Sequence, residues 1–135
     1  MNVEECFNQA THLFSNFGII KIVNDCQGLE VRADSLLGQL FYSLVDNTLK
    51  HGGKVTKIYL HYKKDVHGVK IFYEDNGVGI PYANKPRIFE VGFTTGKGSG
   101  LGLFLVKKLI EAYGWTITEI GKPGKGVKFE ITIPS

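Results

Sequence analysis

Two stretches of strict alternation between apolar and polar residues constrain the fold of this chain more than any other feature. The first runs from residue 57 to residue 63 and the second from residue 69 to residue 75, with a turn near His67 and Gly68 between them. Successive side chains of a β-strand point to opposite faces, so each stretch predicts a strand with one buried face. The apolar face carries Ile58, Leu60, Tyr62, Val69, Ile71 and Tyr73, and the opposite face of the first strand carries Lys57, Tyr59, His61 and Lys63.

Helical patterns predict a second layer. Apolar residues recur at helical spacing in residues 3–16, in residues 34–50 after a capping Asp34, and in residues 101–113. Glycines follow each of these three segments and are typical helix stops. Strands with one lysine-bearing face and helices with one apolar arc imply a mostly antiparallel sheet that is covered by helices on one side.

The remaining segments predict two further pairs of strands and one long loop. Residues 115–120 and 127–133 are predicted to pair around a glycine-rich turn. Two short apolar runs, residues 19–23 and 29–31, flank a turn and predict a small hairpin. Residues 76–99 show no regular period and form a loop too long to be a simple connection, as lids often are.

Composition narrows the class of protein. A length of 135 residues fits one domain, and no apolar run approaches the roughly 20 residues of a membrane span. The net charge is only +3 with scattered lysines, which argues against a nucleic-acid or membrane surface. Cys6 and Cys26 have no CxxC spacing, so we expect a reduced, cytoplasmic protein without disulfides.

Asn47 is a polar residue within the apolar arc of the 34–50 helix, between Leu36 and Leu40 in angular position. Ser43, Asn47 and Lys50 follow one another at i, i+4 and i+7, so they form one stripe at the edge of that arc. An unpaired buried amide costs about 1–3 kcal/mol, so Asn47 needs a partner. A neighbouring backbone group and a ligand ion both satisfy that need.

Asp75 has the same parity as the apolar residues of its strand, so its carboxylate is predicted to point toward the helices. A carboxylate in a pocket can accept a hydrogen bond from the amine of adenine, whereas guanine presents a carbonyl oxygen that it repels. Gly77 and Gly79 then let the backbone pass close to a flat ring. A plain turn is the alternative interpretation of this Asp-Asn-Gly cluster.

Alternating glycines lead directly into the 101–113 helix. Gly96, Gly98, Gly100 and Gly102 leave backbone N–H groups accessible at the positive end of a helix dipole, which predicts an anion site. The spacing is not that of a Walker A loop, and the segment follows a long loop rather than the strand of a dinucleotide fingerprint. A simple hinge before a helix is the alternative.

Taken together, these segments resemble the catalytic, ATP-binding domain of sensor histidine kinases. Residues 43–51, "SLVDNTLKH", resemble the N box, and residues 75–80, "DNGVGI", the G1 box. Residues 88–93, "IFEVGF", resemble the F box, and residues 96–114 resemble the G2 box. The four boxes stand in family order, and the resemblance covers residues 29–134. It places the chain in the GHKL superfamily, which histidine kinases share with gyrase, the ninety-kilodalton heat-shock chaperone and mismatch-repair ATPases.

The resemblance implies an α/β (α+β) fold, a two-layer sandwich of a mixed sheet with helices on one face and an ATP lid. Residues 1–135 would be a single domain, with an N-terminal helix in residues 1–18 and the lid in residues 81–98. ATP and Mg2+ would be the cofactors, with Asn47 as the metal ligand and Asn47 and Lys50 as the catalytic residues. The implied nucleotide-binding residues are Asn47, Lys50, His51, Asp75, Gly77, Gly79, Ile80, Phe89, Thr94, Thr95, Gly98, Ser99, Gly100, Leu101, Gly102 and Leu103.

The chain departs from the family pattern at two points. Ser43 stands where gyrase-type ATPases have a glutamate that activates water, and a serine is a poor general base. The family's acceptor histidine lies on a helical hairpin before this domain, and His12 is too close to Asn47 for that place. We therefore expect slow independent ATP hydrolysis and an acceptor outside this chain.

The resemblance implies that the domain delivers the γ-phosphate of ATP to a histidine in two-component signalling. The expected partners are the helical dimerisation and phosphoacceptor domain of the same kinase and a downstream response regulator, with no nucleic acid and no direct membrane contact. Two other functions stay open at this point. One is a stand-alone protein-serine kinase of the anti-sigma-factor type, and the other is a non-enzymatic nucleotide-sensing module.

Overall fold

A computed structural model describes residues 1–14, 18–94 and 100–135 of the chain. The helices are α1 (Val3–His12), α2 (Leu36–His51) and α3 (Gly102–Ala112), and a 3-10 helix spans Tyr82–Arg87. The strands are β1 (Lys21–Asp25), β2 (Lys57–Asp65), β3 (Gly68–Asp75), β4 (Thr116–Glu119) and β5 (Lys128–Pro134). Among the described residues, no helix is long and apolar enough to cross a bilayer.

The five strands form one open sheet in the order β1-β2-β3-β5-β4. β1 and β2 are parallel, and the other neighbours are antiparallel. The alternation in the sequence fixes the register, because Leu60 of β2 lies opposite Tyr73 of β3 and both side chains are fully buried. The prediction of a mixed, mostly antiparallel sheet is confirmed.

The helices pack on one face of this sheet and form the core with it. Phe7 of α1 meets Phe41 of α2 edge to face, with ring centroids 5.4 Å apart, and it also contacts Tyr73 of β3 at 6.4 Å. Each such buried side chain contributes roughly 1.5–3 kcal/mol relative to exposure. The opposite face of the sheet carries Tyr59, His61 and Phe72 among charged residues, so the two-layer arrangement has helices on one side only.

The predicted hairpin of residues 19–23 and 29–31 is wrong. β1 pairs in parallel with β2, with Ile22 opposite Ile58, instead of turning back onto residues 29–31. That second run lies against the N-terminus, where Asn2 and Glu30 form an isolated antiparallel bridge and the Val3 N–H donates to the Leu29 carbonyl at 3.0 Å. Pairing with β2 adds β1 to a large sheet that already has a buried face, whereas an isolated two-stranded hairpin is only marginally stable.

The start of α2 is tied to the end of α3 through Asp34. The Asp34 carboxylate accepts from the Leu36 N–H at 3.1 Å, so it satisfies one of the free amides of the first turn although Ser35 occupies the N-cap position. The same oxygen accepts from the Tyr113 hydroxyl at 2.7 Å. The hydroxyl, and then the Leu36 amide, lower the pKa of Asp34. The predicted cap therefore also fixes how the two helices lie relative to each other.

The turn before β5 supplies a matched pair of glycines that tests the packing at the end of β3. Gly124 and Gly126 both have positive φ, at 82° and 113°. A Cβ on Gly124 would meet open space, whereas a Cβ on Gly126 would lie 1.9 Å from the carbonyl oxygen of Asp75. Both positions therefore favour glycine because of their positive φ, and at position 126 the close approach to the Asp75 carbonyl requires glycine as well.

We predict that Gly124→Ala lowers the free energy of unfolding by roughly 1–2 kcal/mol, the cost of a left-handed L-residue. Gly126→Ala should lose that amount and about 1–3 kcal/mol more, because the backbone of β3 or β5 must shift. Urea unfolding of the two variants measures the difference. Equal losses would contradict the close packing of this turn against Asp75.

Candidate functional site

A cavity of about 370 Å³ opens between the C-terminal half of α2, the turn after β3, the 3-10 helix and the N-terminus of α3. Such a volume is within the range of small-molecule and cofactor sites. Its lining combines apolar side chains with a few polar groups that converge from different elements. The lining residues are Ser43, Asp46, Asn47, Lys50, His51, Gly52, Asp75, Val78, Gly79, Ile80, Pro81, Asn84, Ile88, Phe93, Thr94, Gly100, Gly102, Leu103, Pro123 and Val127.

Asp75 lies at the base of this cavity with only 7% of its surface exposed. Its Oδ1 accepts from the Gly77 N–H at 2.9 Å and from the Val127 N–H at 3.1 Å, and its Oδ2 accepts from the Thr48 hydroxyl at 2.7 Å. A buried carboxylate is costly unless donors compensate it, and here three elements supply them. The predicted inward direction of Asp75 is confirmed.

The end of α2 is locked to the turn that follows Asp75. The Val78 N–H donates to the Gly52 carbonyl at 2.9 Å, and a Cβ on Gly77 would lie 2.2 Å from the same carbonyl oxygen. Only a residue without a side chain permits this approach. The contact fixes the distance between the α2 residues of the cavity and Asp75.

Asn47, Lys50 and His51 line the cavity from the last turns of α2. Asn47 is half-buried, and within the described residues its side chain has no hydrogen-bond partner, so its carbonyl oxygen is available to a ligand. The Lys50 ammonium lies 3.0 Å from the Asp46 carboxylate, one helical turn away, and is half exposed. Such an exposed pair is weak, at about 0–1 kcal/mol, so an anion of higher charge can compete for Lys50.

The N-terminus of α3 forms the opposite wall. Gly100, Gly102 and Leu103 line the cavity, and the N-cap residue of this helix, Leu101, makes no side-chain cap bond. The free N–H groups of a helix start attract anions. Gly100 has a φ of 75°, and its carbonyl accepts from the Gly92 N–H at 3.1 Å. This bond connects the segment before α3 to the turn that follows the 3-10 helix.

The 3-10 helix is held to the end of β4 by a largely buried ion pair that could not be predicted from the sequence. The Lys85 ammonium, on the 3-10 helix, contacts the Glu119 carboxylate at the end of β4 and donates to the Gly121 carbonyl at 2.8 Å. Glu119 has a 1% exposed side chain and also accepts from the Gly121 and Lys128 N–H groups, both at 2.9 Å. Burial lowers the pKa of Lys85.

Most of the predicted nucleotide-binding residues that the structure describes meet in this one cavity. They are Asn47, Lys50, His51, Asp75, Gly79, Ile80, Thr94, Gly100, Gly102 and Leu103. Three others are not among its lining residues: the Gly77 N–H donates to Asp75, the Phe89 ring packs on the Phe129 ring at 6.3 Å, and Leu101 is half exposed. Thr95, Gly98 and Ser99 lie outside the described residues, and so does most of the alternating glycine segment.

Sequence reasoning missed the part that Thr48 plays. Thr48 lies on the buried side of α2, where it is 1% exposed, and its hydroxyl holds the Asp75 carboxylate. The one available signal was a hydroxyl within an otherwise apolar arc. Pro123 and Val127 of the β4–β5 turn also line the cavity, and no local pattern marks them as site residues.

The donor set fits a cation held jointly with a phosphorylated ligand. Within residues 1–14, 18–94 and 100–135, no group of three His, Cys, Asp or Glu side chains could hold a metal ion. Mg2+ usually keeps few protein ligands and takes the rest of its oxygens from phosphates and water. The unpartnered amide of Asn47, close to Asp46 on the same helix, is compatible with that kind of site.

Comparison with known proteins gives one family. The family model described as histidine kinase-, DNA gyrase B-, and HSP90-like ATPase matches residues 33–135. The alginate biosynthesis sensor protein KinB of Pseudomonas aeruginosa is 37% identical over 95 residues, which are 68% of this chain and 16% of that protein. The adaptive-response sensory kinase SasA of Crocosphaera subtropica is 36% identical over 109 residues, which are 75% of this chain and 28% of that protein. The chain thus spans less than a third of the length of these relatives.

Solved structures agree on the fold. The catalytic domain of histidine kinase ThkA, in a nucleotide-free form, superposes with a TM-score of 0.81 at 28% identity, over 99% of this chain and 93% of that one. Full-length ShkA in complex with AMPPNP has a TM-score of 0.79 at 24% identity, over 100% of this chain and 31% of that one. The second likeness bears on the fold alone.

We predict that Glu119→Gln lowers the free energy of unfolding by roughly 3 kcal/mol, because it leaves the Lys85 ammonium buried without its counter-charge. The matched control is Glu130→Gln, which breaks the exposed pair that Glu130 forms with Lys70 at 2.9 Å and should cost less than about 1 kcal/mol. Chemical denaturation of both variants compares them. A loss at Glu119 no larger than the loss at Glu130 would contradict the anchoring of the 3-10 helix by this ion pair.

Proposed function

The chain belongs to the histidine kinase-, DNA gyrase B-, and HSP90-like ATPase family, and we propose that it binds ATP with Mg2+ in the 370 Å³ cavity and delivers the γ-phosphate to a histidine outside this chain. The observation that carries the proposal is that one cavity combines a group that attracts hydrogen-bond donors with a group that attracts anions. A buried carboxylate lies at its base, and the N-terminus of a helix whose N-cap residue is an apolar leucine lies at its wall.

Asp75 is the proposed adenine contact. Its three bonds are all accepted from donors, so a further partner in the cavity must donate as well. The exocyclic amine of adenine is such a donor, and a carbonyl oxygen at the same place is not. Gly79, Ile80 and Val127 then offer backbone and apolar contacts to a flat ring and its ribose.

The triphosphate is proposed to lie between α2 and the N-terminus of α3. Gly100, Gly102 and Leu103 supply N–H groups at the positive end of a helix, and Lys50 supplies a cation from the other side. Asn47 would hold Mg2+, which neutralises charge on the phosphates when it is bound. Thr95, Gly98 and Ser99 of the alternating segment are proposed as further phosphate contacts.

The chain itself contributes positioning and charge rather than a base. Ser43, at the place where family ATPases have a glutamate, is 6% exposed and accepts from the Gln39 amide at 3.3 Å. A serine in this position does not activate water, so ATP bound here is protected from rapid hydrolysis. A histidine acceptor needs no such help because its imidazole is the nucleophile, and the site mainly aligns and neutralises the phosphates.

The proposed acceptor is a histidine on the helical dimerisation and phosphoacceptor domain of the same kinase. A response regulator would then receive the phosphoryl group, and the cytoplasm is the proposed location. The proposal treats residues 1–135 as one domain, with residues 81–98 as its lid. KinB is named a sensor protein and SasA a sensory kinase, and both are several times longer than this chain, which supports further domains in the full protein.

We predict that Asp75→Asn weakens binding of a fluorescent ATP analogue at least a hundredfold. The amide replaces one acceptor oxygen by an N–H group, which meets the Thr48 hydroxyl at the Oδ2 position or two backbone N–H groups at the Oδ1 position, and at Oδ2 the acceptor for adenine is lost. Fluorescence titration measures the affinity, and Asp65→Asn, at the exposed end of β2, is the control. Unchanged affinity in Asp75→Asn would remove the adenine assignment.

Asn47→Asp and Asn47→Ala should reduce nucleotide binding mainly in the presence of Mg2+. The amide oxygen is proposed to bind the cation, and neither variant keeps the same neutral ligand. Titrations with Mg2+ and with EDTA separate the two contributions. If both variants lose the same affinity in both conditions, Asn47 does not bind the metal ion.

The catalytic proposal is tested by mixing this domain with a histidine-bearing helical hairpin and γ-labelled ATP. We expect label on the hairpin that is lost in acid and kept in base, as phosphohistidine is. Acid-stable label on a serine would instead support a protein-serine kinase. Nucleotide binding without any transferred label would support the sensing module.

A further inference from the structure

Thr48 is a buried polar residue that the proposed function does not yet use. It lies on α2 next to Asn47, is 1% exposed, and does not line the cavity. Its hydroxyl contacts two other buried groups, Oδ2 of Asp75 and the hydroxyl of Tyr73, each at 2.7 Å. The side chain therefore acts on the cavity only through Asp75.

The direction of these bonds follows from counting protons. Thr48 and Tyr73 carry one hydroxyl proton each, and the Tyr73 hydroxyl also lies 3.2 Å from the Leu44 carbonyl. Burial raises the pKa of Tyr73, so that residue keeps its proton. If Thr48 gave its proton to Tyr73, its oxygen would face the Asp75 carboxylate at 2.7 Å with no proton between them. Thr48 therefore donates to Asp75, and the single Tyr73 proton points to the Thr48 oxygen at 2.7 Å, with the more distant Leu44 carbonyl as its weaker second acceptor.

These hydrogen bonds leave one acceptor position of the Asp75 carboxylate unoccupied. A carboxylate has about four lone-pair positions, and two of those on Asp75 lie on Oδ1, where the Gly77 and Val127 N–H groups occupy them. Thr48 occupies a third position, on Oδ2. The fourth position is on Oδ2 as well, so the atom that remains available to a ligand is the one that Thr48 holds.

We propose that Thr48 is a positioning residue that sets the base selectivity of the cavity. By donating to Asp75 Oδ2 it keeps that oxygen an acceptor only, which favours a purine with an amino group at position 6 and disfavours a purine with a carbonyl there. This inference rests on the proposed binding of ATP in the cavity. The Thr48 proton is already engaged with Oδ2, so a carbonyl at position 6 faces a carboxylate oxygen that has no proton to offer it. Without the hydroxyl, Oδ2 can reorient or take a water molecule, and water can serve as donor or acceptor.

The test compares ATP with ITP, which differ at position 6 of the purine, by displacement of a fluorescent ATP analogue. Thr48→Val keeps the shape and removes the hydroxyl, Thr48→Ala removes the hydroxyl at smaller volume, and Thr48→Ser keeps the hydroxyl. Thr11→Val is the matched control, because Thr11 is also helical and 6% exposed but its hydroxyl donates to the Asn8 carbonyl. Thermal melting of each variant monitors folding separately.

We expect the wild-type protein, Thr48→Ser and Thr11→Val to prefer ATP over ITP by similar factors. In Thr48→Val and Thr48→Ala the preference should fall by on the order of tenfold or more, the size expected for one hydrogen bond to a charged group. If Thr48 acted only by filling space, Thr48→Ser would not keep the preference for ATP over ITP. A preference kept in both variants without the hydroxyl would overturn the role of Thr48 while leaving ATP binding intact. A wild-type protein that does not bind ATP would overturn the proposed function itself.

Discussion

A carboxylate buried at the edge of the core sets the constraint on which the rest of this structure depends. Asp75 ends β3 and points toward the helices, where it is 7% exposed. A charged group in that position is stable only when several donors meet it. The donors come from α2, from the turn after β3 and from the start of β5, so these three segments must converge on one point. The close contacts of Gly77 with Gly52 and of Gly126 with Asp75 are the backbone consequences of that convergence.

The same convergence builds the cavity. Once the end of α2 is fixed against the turn after β3, the polar residues of its last turns face the N-terminus of α3 across an open space. The Lys85–Glu119 pair then holds the 3-10 helix to the end of β4, which fixes that side of the cavity. The carboxylate of Asp75 favours hydrogen-bond donors at one end of the cavity, and the N-terminus of α3 favours anions at the other. A ligand with an amine at one end and phosphates at the other satisfies both.

Much of the fold, and the position of Asp75, could be predicted from the sequence, because both depend on the spacing at which apolar residues recur. The alternation around Ile58 and Ile71 fixed the buried face of the sheet, and the parity of Asp75 followed from it. Partners distant in the sequence could not be predicted in that way. The parallel pairing of β1 with β2 and the contact between Lys85 and Glu119 join segments more than 30 residues apart that carry no local signal. Thr48 illustrates an intermediate case, since its burial was predictable but its hydrogen-bond partner depends on where β3 ends.

A crystal structure of the domain with a non-hydrolysable ATP analogue and Mg2+ tests the central claim most directly. The account predicts the adenine amine within hydrogen-bond distance of Asp75 Oδ2, with Thr48 still donating to that oxygen. It also predicts the cation on Asn47 and the phosphates at the N–H groups of Gly100 and Gly102. An analogue bound elsewhere, or bound in this cavity with its base away from Asp75, would contradict the account.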